Sequence, residues 1–354
     1  MWKIIYAVVF LTSFCFSILL VPLVRKFAIV FDVLDHPSPR KIHGLPTPLT
    51  GGIALYFSIL ATIISGLIIG RFLPDKFSIY YDGVPSVLPK LTIFLITLAL
   101  VVIAGFLDDM FHFRPMVKLG FQILCGIVTF LAGIKISFFS SNILIHFMLT
   151  TGWIVLCMNS FNLLDHANGL AAGVAFIAGS IFFFNASING QLFISTLLVC
   201  FLGGTLGFLK YNFPAGKIFL GECGSSFLGY FLGCLAIMGT YYRYQVQQSF
   251  LPALSPILIF SLPFFDTLNV MYIRIKNNRP IFEADTNHIT HRLVRLGMNQ
   301  VQAVGFCYLL AFATGLGALL LHQLNIFAGL VVFFQTFLIL MCVAIVESTG
   351  RKNG

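Results

Sequence analysis

The sequence predicts an all-α integral membrane protein: a polytopic helical bundle of about eleven transmembrane helices, N-terminus outside and C-terminus cytoplasmic. Three observations carry this. Only 9% of the 354 residues are charged and 58% are hydrophobic, with a mean hydropathy of +0.97, whereas a soluble domain carries about 25% charged residues. Apolar runs near the ~20 residues needed to span hydrocarbon as a helix recur along the whole chain and leave no stretch for a water-soluble domain. The runs are continuous rather than short and alternating, which excludes a β-barrel.

The first run, 4–24, follows Met1-Trp2-Lys3 and lacks a small-residue cleavage site before Arg25 and Lys26. It therefore reads as an uncleaved span, not a signal peptide. Further spans are predicted near 52–70, 91–107, 118–135, 142–158, 169–187, 192–209, 225–242, 253–273, 300–321 and 326–346. A short stretch from Ser137 to Asn142 separates the fourth from the fifth, as in a helical hairpin. Pro22 and Pro263 fall inside spans, where membrane helices tolerate them. The chain reads as one polytopic domain over 1–354, with its motifs between about 35 and 296.

Orientation follows from the basic residues. With the N-terminus outside, Lys3, Arg71, Lys76, Lys90, Lys135 and Arg243 fall outside and the other fifteen Lys and Arg fall inside, as the positive-inside rule requires. The net charge of +9 and pI of 9.2 express that asymmetry beside a lipid bilayer and call for no nucleic acid. The eight cysteines are scattered, mostly in apolar runs, with no C-x-x-C. They read as small core residues, not as disulfides or zinc ligands.

The acids are more polarised than the bases. Only Asp75 and Asp82 of twelve fall outside, and six of the eight histidines (His36, His43, His112, His166, His288 and His291) fall inside. The positive-inside rule does not govern acids, so this needs another cause, and a metal with a phosphorylated substrate supplies one.

Asp108-Asp109 closes the third span, where two adjacent carboxylates at a helix C-terminus oppose the helix dipole and each other. A divalent cation relieves that repulsion, and Mg²⁺ takes one or two carboxylates plus phosphate oxygens. Lys118 and Gln122, four apart, share a face of the next helix; Lys118 suits a phosphate or simply the charge asymmetry. Asn159, Asn162, Asp165 and Asn168, closed by Gly169, read as a polar loop that dips back to the membrane surface, or as an ordinary turn. Gly221 and Gly224 flank Glu222 and let the backbone approach a ligand, and Ser225-Ser226 opens a helix. Asp266 lies inside the ninth span, where a carboxylate is expensive and marks function or a pair with Arg274. His288, His291 and Arg292, with Arg279 and Arg295, read as a phosphate-binding surface; no thiol accompanies them to build a zinc site. The first inner loop carries Asp35-His36-Pro37, Arg40-Lys41 and His43, which suit an anionic lipid or a generic basic loop.

The order of these motifs resembles the polyprenyl-phosphate N-acetylhexosamine-1-phosphate transferase family, of the WecA/TagO branch and related to MraY, within glycosyltransferase family 4. The residues that carry the resemblance are the R-K-x-H-x-x-P-x-P-x-x-G-G run at Arg40, Gly105 to Asp109, Asn159-x-x-Asn162-Leu163-x-Asp165, Gly169 to Gly173, Pro263-x-x-Asp266-Thr267 and Asp285-x-x-His288-x-x-His291-Arg292-Leu293. The resemblance implies transfer of a sugar-1-phosphate, N-acetylglucosamine-1-phosphate first, from a UDP-N-acetylhexosamine to polyprenyl phosphate with release of UMP. It implies Mg²⁺, with Mn²⁺ as a substitute, and a bacterial inner membrane with the site facing the cytoplasm; a homodimer is left open. Carried over residue by residue, Asp108, Asp109 and Asp165 are the catalytic candidates, and Glu222, Asp165 and Asp109 the metal candidates. Lys118, Asn159, Asn162, Asn168, Asp266, His288, His291, Arg292 and His43 are the substrate-binding candidates. Three positions depart from the family pattern: Asn168 and Glu222 each replace an Asp, and Thr290 replaces the middle histidine of the last loop. A catalytically silent binder of polyprenyl phosphate, or a transporter, is the alternative; transport wants polar residues at the midplane of several helices, and Asp266 alone is so placed.

Overall fold

A computed structural model describes residues 2–36, 45–72, 83–137, 141–239, 250–280 and 287–349. Long apolar runs without breakers can satisfy their backbone in hydrocarbon only as helices, and the chain does this in order: α1 Trp2–Val30, α2 Gly51–Gly70, α3 Val84–Phe111, α4 Pro115–Leu131, α5 Ile143–Leu164, α6 Leu170–Ile188, α7 Leu192–Asn212 and α8 Gly221–Met238. After a 3₁₀ turn, Leu251–Leu254, come α9 Ser255–Ile259, α10 Ser261–Lys276, α11 Ile289–Arg295, α12 Gln300–Leu320 and α13 Ile326–Thr349. Local signals set the starts. Pro115 opens α4 where no N–H is needed, Asn142 Oδ1 accepts from Leu144 N at 2.9 Å to cap α5, and Asn299 with Gln302 forms a capping box on α12.

Every predicted span falls on helix, but the lengths differ. Among the described residues nine helices are long and apolar enough to cross a membrane, and a bent pair makes a tenth. That pair, Leu251–Ile259 and Ser261–Lys276, turns by 64°. Pro263 lacks the N–H that would bond the Ile259 carbonyl, so the ladder breaks at the bend. The remaining predicted span, α4, has 17 residues and is shorter than the rest.

The bundle is organised around α8, the most enclosed of these helices. It packs on α3 and α5, with α2 alongside. Close approach requires Gly105 on α3, where a Cβ would stand 2.4 Å from Cys223 Cα. A two-stranded ladder, β1 Leu34–Asp35 with β2 Thr47–Pro48, is antiparallel. Pro48 O accepts from Phe219 N at 2.8 Å and Gly51 N donates to Phe219 O at 3.0 Å, which pins the first loop to the segment entering α8. The described residues at the ends of α1, α3, α5 and α7 and at the start of α11 thus gather at one end of the bundle with the close of α13. The start of α1 lies at the other end, where Tyr6 packs edge-on against Phe183 at 5.3 Å.

Candidate active site

Two clusters form at the gathered end. The first is acidic and begins in the last turn of α3. Asp109 accepts from Glu222 N at 2.8 Å and Cys223 N at 3.2 Å, so its carboxylate caps the N-terminus of α8, where the helix dipole favours negative charge. Gly221 has φ +71°, and a Cβ there would stand 2.5 Å from Asp109 Oδ2; the turn that aims α8 at Asp109 requires glycine. Asp108 accepts from Phe113 N at 2.7 Å and pairs with Lys118 Nζ at 2.5 Å. Lys118 also reaches Glu222 Oε2 at 3.3 Å, and Glu222 Oε1 accepts from Ser226 Oγ at 3.4 Å. One ammonium from α4 therefore joins carboxylates from α3 and α8.

The opposite wall comes from α4 and α5. Asn159 Nδ2 donates to Gln122 Oε1 at 2.5 Å, and Asn162 Nδ2 donates to Ser225 Oγ at 3.1 Å. Together these elements line a cleft open to solvent, with Asp108, Lys118, Gln122, Glu222 and Ser226 among its polar residues and Val101, Val117, Phe121 and Met158 among its apolar ones. Asp165 caps α5, its N–H donating to Asn162 O at 3.1 Å, while its carboxyl forms no hydrogen bond or ion pair among the described residues. Burial first, then the charges of Asp109 and Glu222, push its carboxyl up to about 8. A half-buried, unpartnered carboxyl beside two like charges is a donor set that suits a hard divalent cation.

The second cluster is buried and joins four elements. His288, at the start of α11, donates from Nδ1 to Asp266 Oδ2 at 2.9 Å, and Ile289 N donates to Asp266 Oδ1 at 2.8 Å. Arg292 lies 3.5 Å from Asp266 Oδ1, donates from Nε to Glu347 Oε2 at 2.9 Å, and bonds the Asn287 carbonyl. From the α5–α6 turn, His166 contacts Leu163 O at 3.0 Å through Nδ1 and Thr290 Oγ1 at 2.7 Å through Nε2. Its ring stacks on His288 with centroids 4.3 Å apart and lies 5.4 Å from His291. Burial first, then His288, hold the His166 pKa down to about 3, so the ring is neutral. Ligand atoms of His166, Asp266 and His288 all lie within 4.8 Å of one another. Their internal hydrogen bonds nevertheless mark a satisfied network in place of an open metal site.

Three sequence expectations change form. Asn159 and Asn162 stand on the last turns of α5, not in a loop, because the helix runs unbroken to Leu164. Glu222 lies in the first turn of α8, which starts four residues before the predicted span because Asp109 caps it there. Asn168 sits apart from the hydrogen bonds of the acidic cluster and donates from Nδ2 to Pro214 O at 3.1 Å. His43 and Asp285 lie outside the described residues.

The pattern described as "Glycosyl transferase family 4" matches residues 91–240, which contain the whole acidic cluster. A Bacillus subtilis (strain 168) protein named "Probable undecaprenyl-phosphate N-acetylglucosaminyl 1-phosphate transferase" is 31% identical over 98% of this chain and 92% of its own length. The chain belongs to glycosyl transferase family 4. Other members it resembles are a decaprenyl-phosphate N-acetylglucosaminephosphotransferase of Mycolicibacterium smegmatis, 27% identical over 83% of this chain and 77% of that one. An undecaprenyl-phosphate alpha-N-acetylglucosaminyl 1-phosphate transferase of Escherichia coli O157:H7 is 24% identical over 93% and 88%.

Two further residues complete the second cluster. Glu347, one of the inner acids, holds Arg292 from the end of α13; a lone acid closing an apolar helix is its signal in the sequence. His166 packs against His288 and His291, a placement with no local signature.

Proposed function

We propose that the protein transfers an N-acetylhexosamine-1-phosphate, N-acetylglucosamine-1-phosphate first, from a UDP-sugar to polyprenyl phosphate at the acidic cleft, releasing UMP. The observation that carries this is the join of Asp108, Lys118 and Glu222 in a cleft whose lining is otherwise largely apolar. An amphipathic acceptor, a phosphate on an isoprenoid chain, needs charged and apolar lining together. The names of the family relatives support the same substrates.

In this reading an oxygen of the lipid phosphate attacks the sugar-bearing phosphorus, a new phosphoanhydride bond forms, and the bond to UMP breaks. Asp108 takes the proton of the lipid phosphate, and Lys118 neutralises the incoming phosphate. Glu222 and Asp165 would hold Mg²⁺, with Asp109 fixing the turn that presents Glu222; the cation would neutralise charge on the transferring pyrophosphate. Such transfer needs mainly positioning and charge neutralisation, which Asn162, His288 and His291 serve from the side of the donor. The positive-inside count supports a bacterial inner membrane with this cleft facing the cytoplasm.

Purified protein in detergent, given polyprenyl phosphate, Mg²⁺ and a panel of UDP-sugars, should release UMP and form a lipid-linked sugar pyrophosphate. Binding of the lipid without UMP release from any donor would replace this reading with a silent binder. Single cysteines at Arg114 and Asn277, both exposed, in a cysteine-free background should label from the cytoplasmic side alone; labelling from outside would invert the orientation.

A further inference from the structure

His166 is the one imidazole at the gathered end that belongs to the acidic-site turn yet touches the other cluster. It follows Asp165 directly, while its ring lies against His288, Thr290 and His291. The Leu163 carbonyl can only accept, so Nδ1 carries a proton and donates to it at 3.0 Å, and Nε2 pairs with the Thr290 hydroxyl at 2.7 Å. Both nitrogens are thereby committed, one to α5 and one to α11. The ring is a fixed strut between them.

We propose that His166 is a positioning residue that holds the α11 histidines and Asp165 in one register around the phosphates of the nucleotide-sugar donor. It does from the α5–α6 turn what a histidine at position 290 would do from α11. This rests on the transfer reading above. Three geometric facts support it. The stacked ring, at 4.3 Å and 23° to His288, fixes the plane of an imidazole whose Nδ1 Asp266 already holds. The 2.7 Å contact places the side chain of position 290 at the rim of the space the His166 ring fills, so a larger side chain there would grow into that space if the ring were removed. The Thr290 hydroxyl closes the bond to Nε2 from α11, so it and the imidazole at 166 form a complementary pair.

The test uses four full-length proteins: wild type, His166→Ala, Thr290→His, and the double variant His166→Ala/Thr290→His. Two readouts are taken: steady-state UMP release, and the rise in melting temperature on adding UDP-N-acetylglucosamine with Mg²⁺. Loss of an orienting partner typically lowers function about 10–100-fold. His166→Ala should lose kcat/KM by about that factor, carried mainly by a higher KM for the nucleotide sugar, and should lose most of the ligand-induced rise. The double variant should recover most of both. Wild-type KM and ligand response in His166→Ala would overturn the proposal, and so would a loss that the double variant fails to recover. Should His166→Ala not fold, Thr290→Val removes only the hydroxyl; a several-fold rise in KM is then expected, and an unchanged KM overturns the proposal. If wild type releases no UMP from any donor, the transfer reading fails by itself. The melting shifts with UMP and with inorganic pyrophosphate, compared across the same proteins, then decide whether His166 orders a phosphate site, and equal shifts in all four reject it.

Discussion

The acidic cleft and the histidine–arginine cluster sit on neighbouring loops, and they handle charge in opposite ways. In the cleft, Asp108 and Glu222 share one ammonium, Lys118, which is one-third exposed, with Asp109 and Asp165 close to Glu222. In the buried cluster, Asp266 and Glu347 face Arg292 and His288, and each of these four side chains has a hydrogen-bonding or ionic partner in the group. Carboxylates gathered at an open cleft are what a cation and phosphates require, whereas an enclosed, mutually paired network resists rearrangement. The comparison separates a region that reacts from a region that positions. Changes in the first should strike turnover, and changes to the Arg292–Glu347 pair of the second should strike stability.

The largest effect is expected from Asp108→Asn. The amide still fits the turn after α3, but it cannot take a proton from the lipid phosphate and no longer pairs with Lys118. Positioned general bases contribute on the order of 10²–10⁴-fold, and UMP release should fall by that order while the thermal melt in detergent stays as in wild type. Near-normal turnover would move chemistry away from the cleft.

Glu347→Ala makes the converse case. It strands the buried Arg292 guanidinium with Asp266 as its remaining carboxylate, and breaking a buried pair costs about 3 kcal/mol at the low end. The melting temperature should fall clearly, and the purified fraction that remains folded should keep most of its turnover. An unchanged melt with lost turnover would place Glu347 in the chemistry and erase the distinction.

The smallest effect belongs to Asn168→Asp. The carboxylate cannot donate to Pro214 O, and the lost hydrogen bond is worth about 1 kcal/mol or less at an exposed site. A slight drop in melting temperature with little change in Mg²⁺ dependence is expected. A marked gain in Mg²⁺ affinity would return Asn168 to the acidic cluster.

Much of this was legible in the sequence because hydrophobic length and acidic pairs are local signals. The helical runs, the pair at Asp108-Asp109, and Lys118 with Gln122 on one face appear in the structure where those signals point. What was not legible depends on partners far apart in the chain. Asp109 caps a helix 113 positions on, so the start of α8 moved and Glu222 entered its first turn. Glu347 meets Arg292 across 55 positions, and His166 meets Thr290 across 124; neither distance leaves a periodicity. The three departures from the family pattern also read differently once partnered. Glu222 reaches Lys118 and Thr290 bonds His166, so these two side chains are built into the clusters, whereas Asn168 ties Pro214 outside them.

That integration is tested most directly at Glu222, by titrating Mg²⁺ against UMP release in wild type, Glu222→Asp and Glu222→Gln. Mg²⁺ demands short, near-octahedral contacts, and the aspartate arm is one methylene shorter than the arm that now reaches Lys118 at 3.3 Å. Glu222→Asp should need about tenfold more Mg²⁺ for half-maximal release, and Glu222→Gln should lose release at every Mg²⁺ concentration. A Glu222→Asp protein that matches or exceeds wild type, or a Glu222→Gln protein with wild-type Mg²⁺ dependence, would contradict a cation held at this carboxylate.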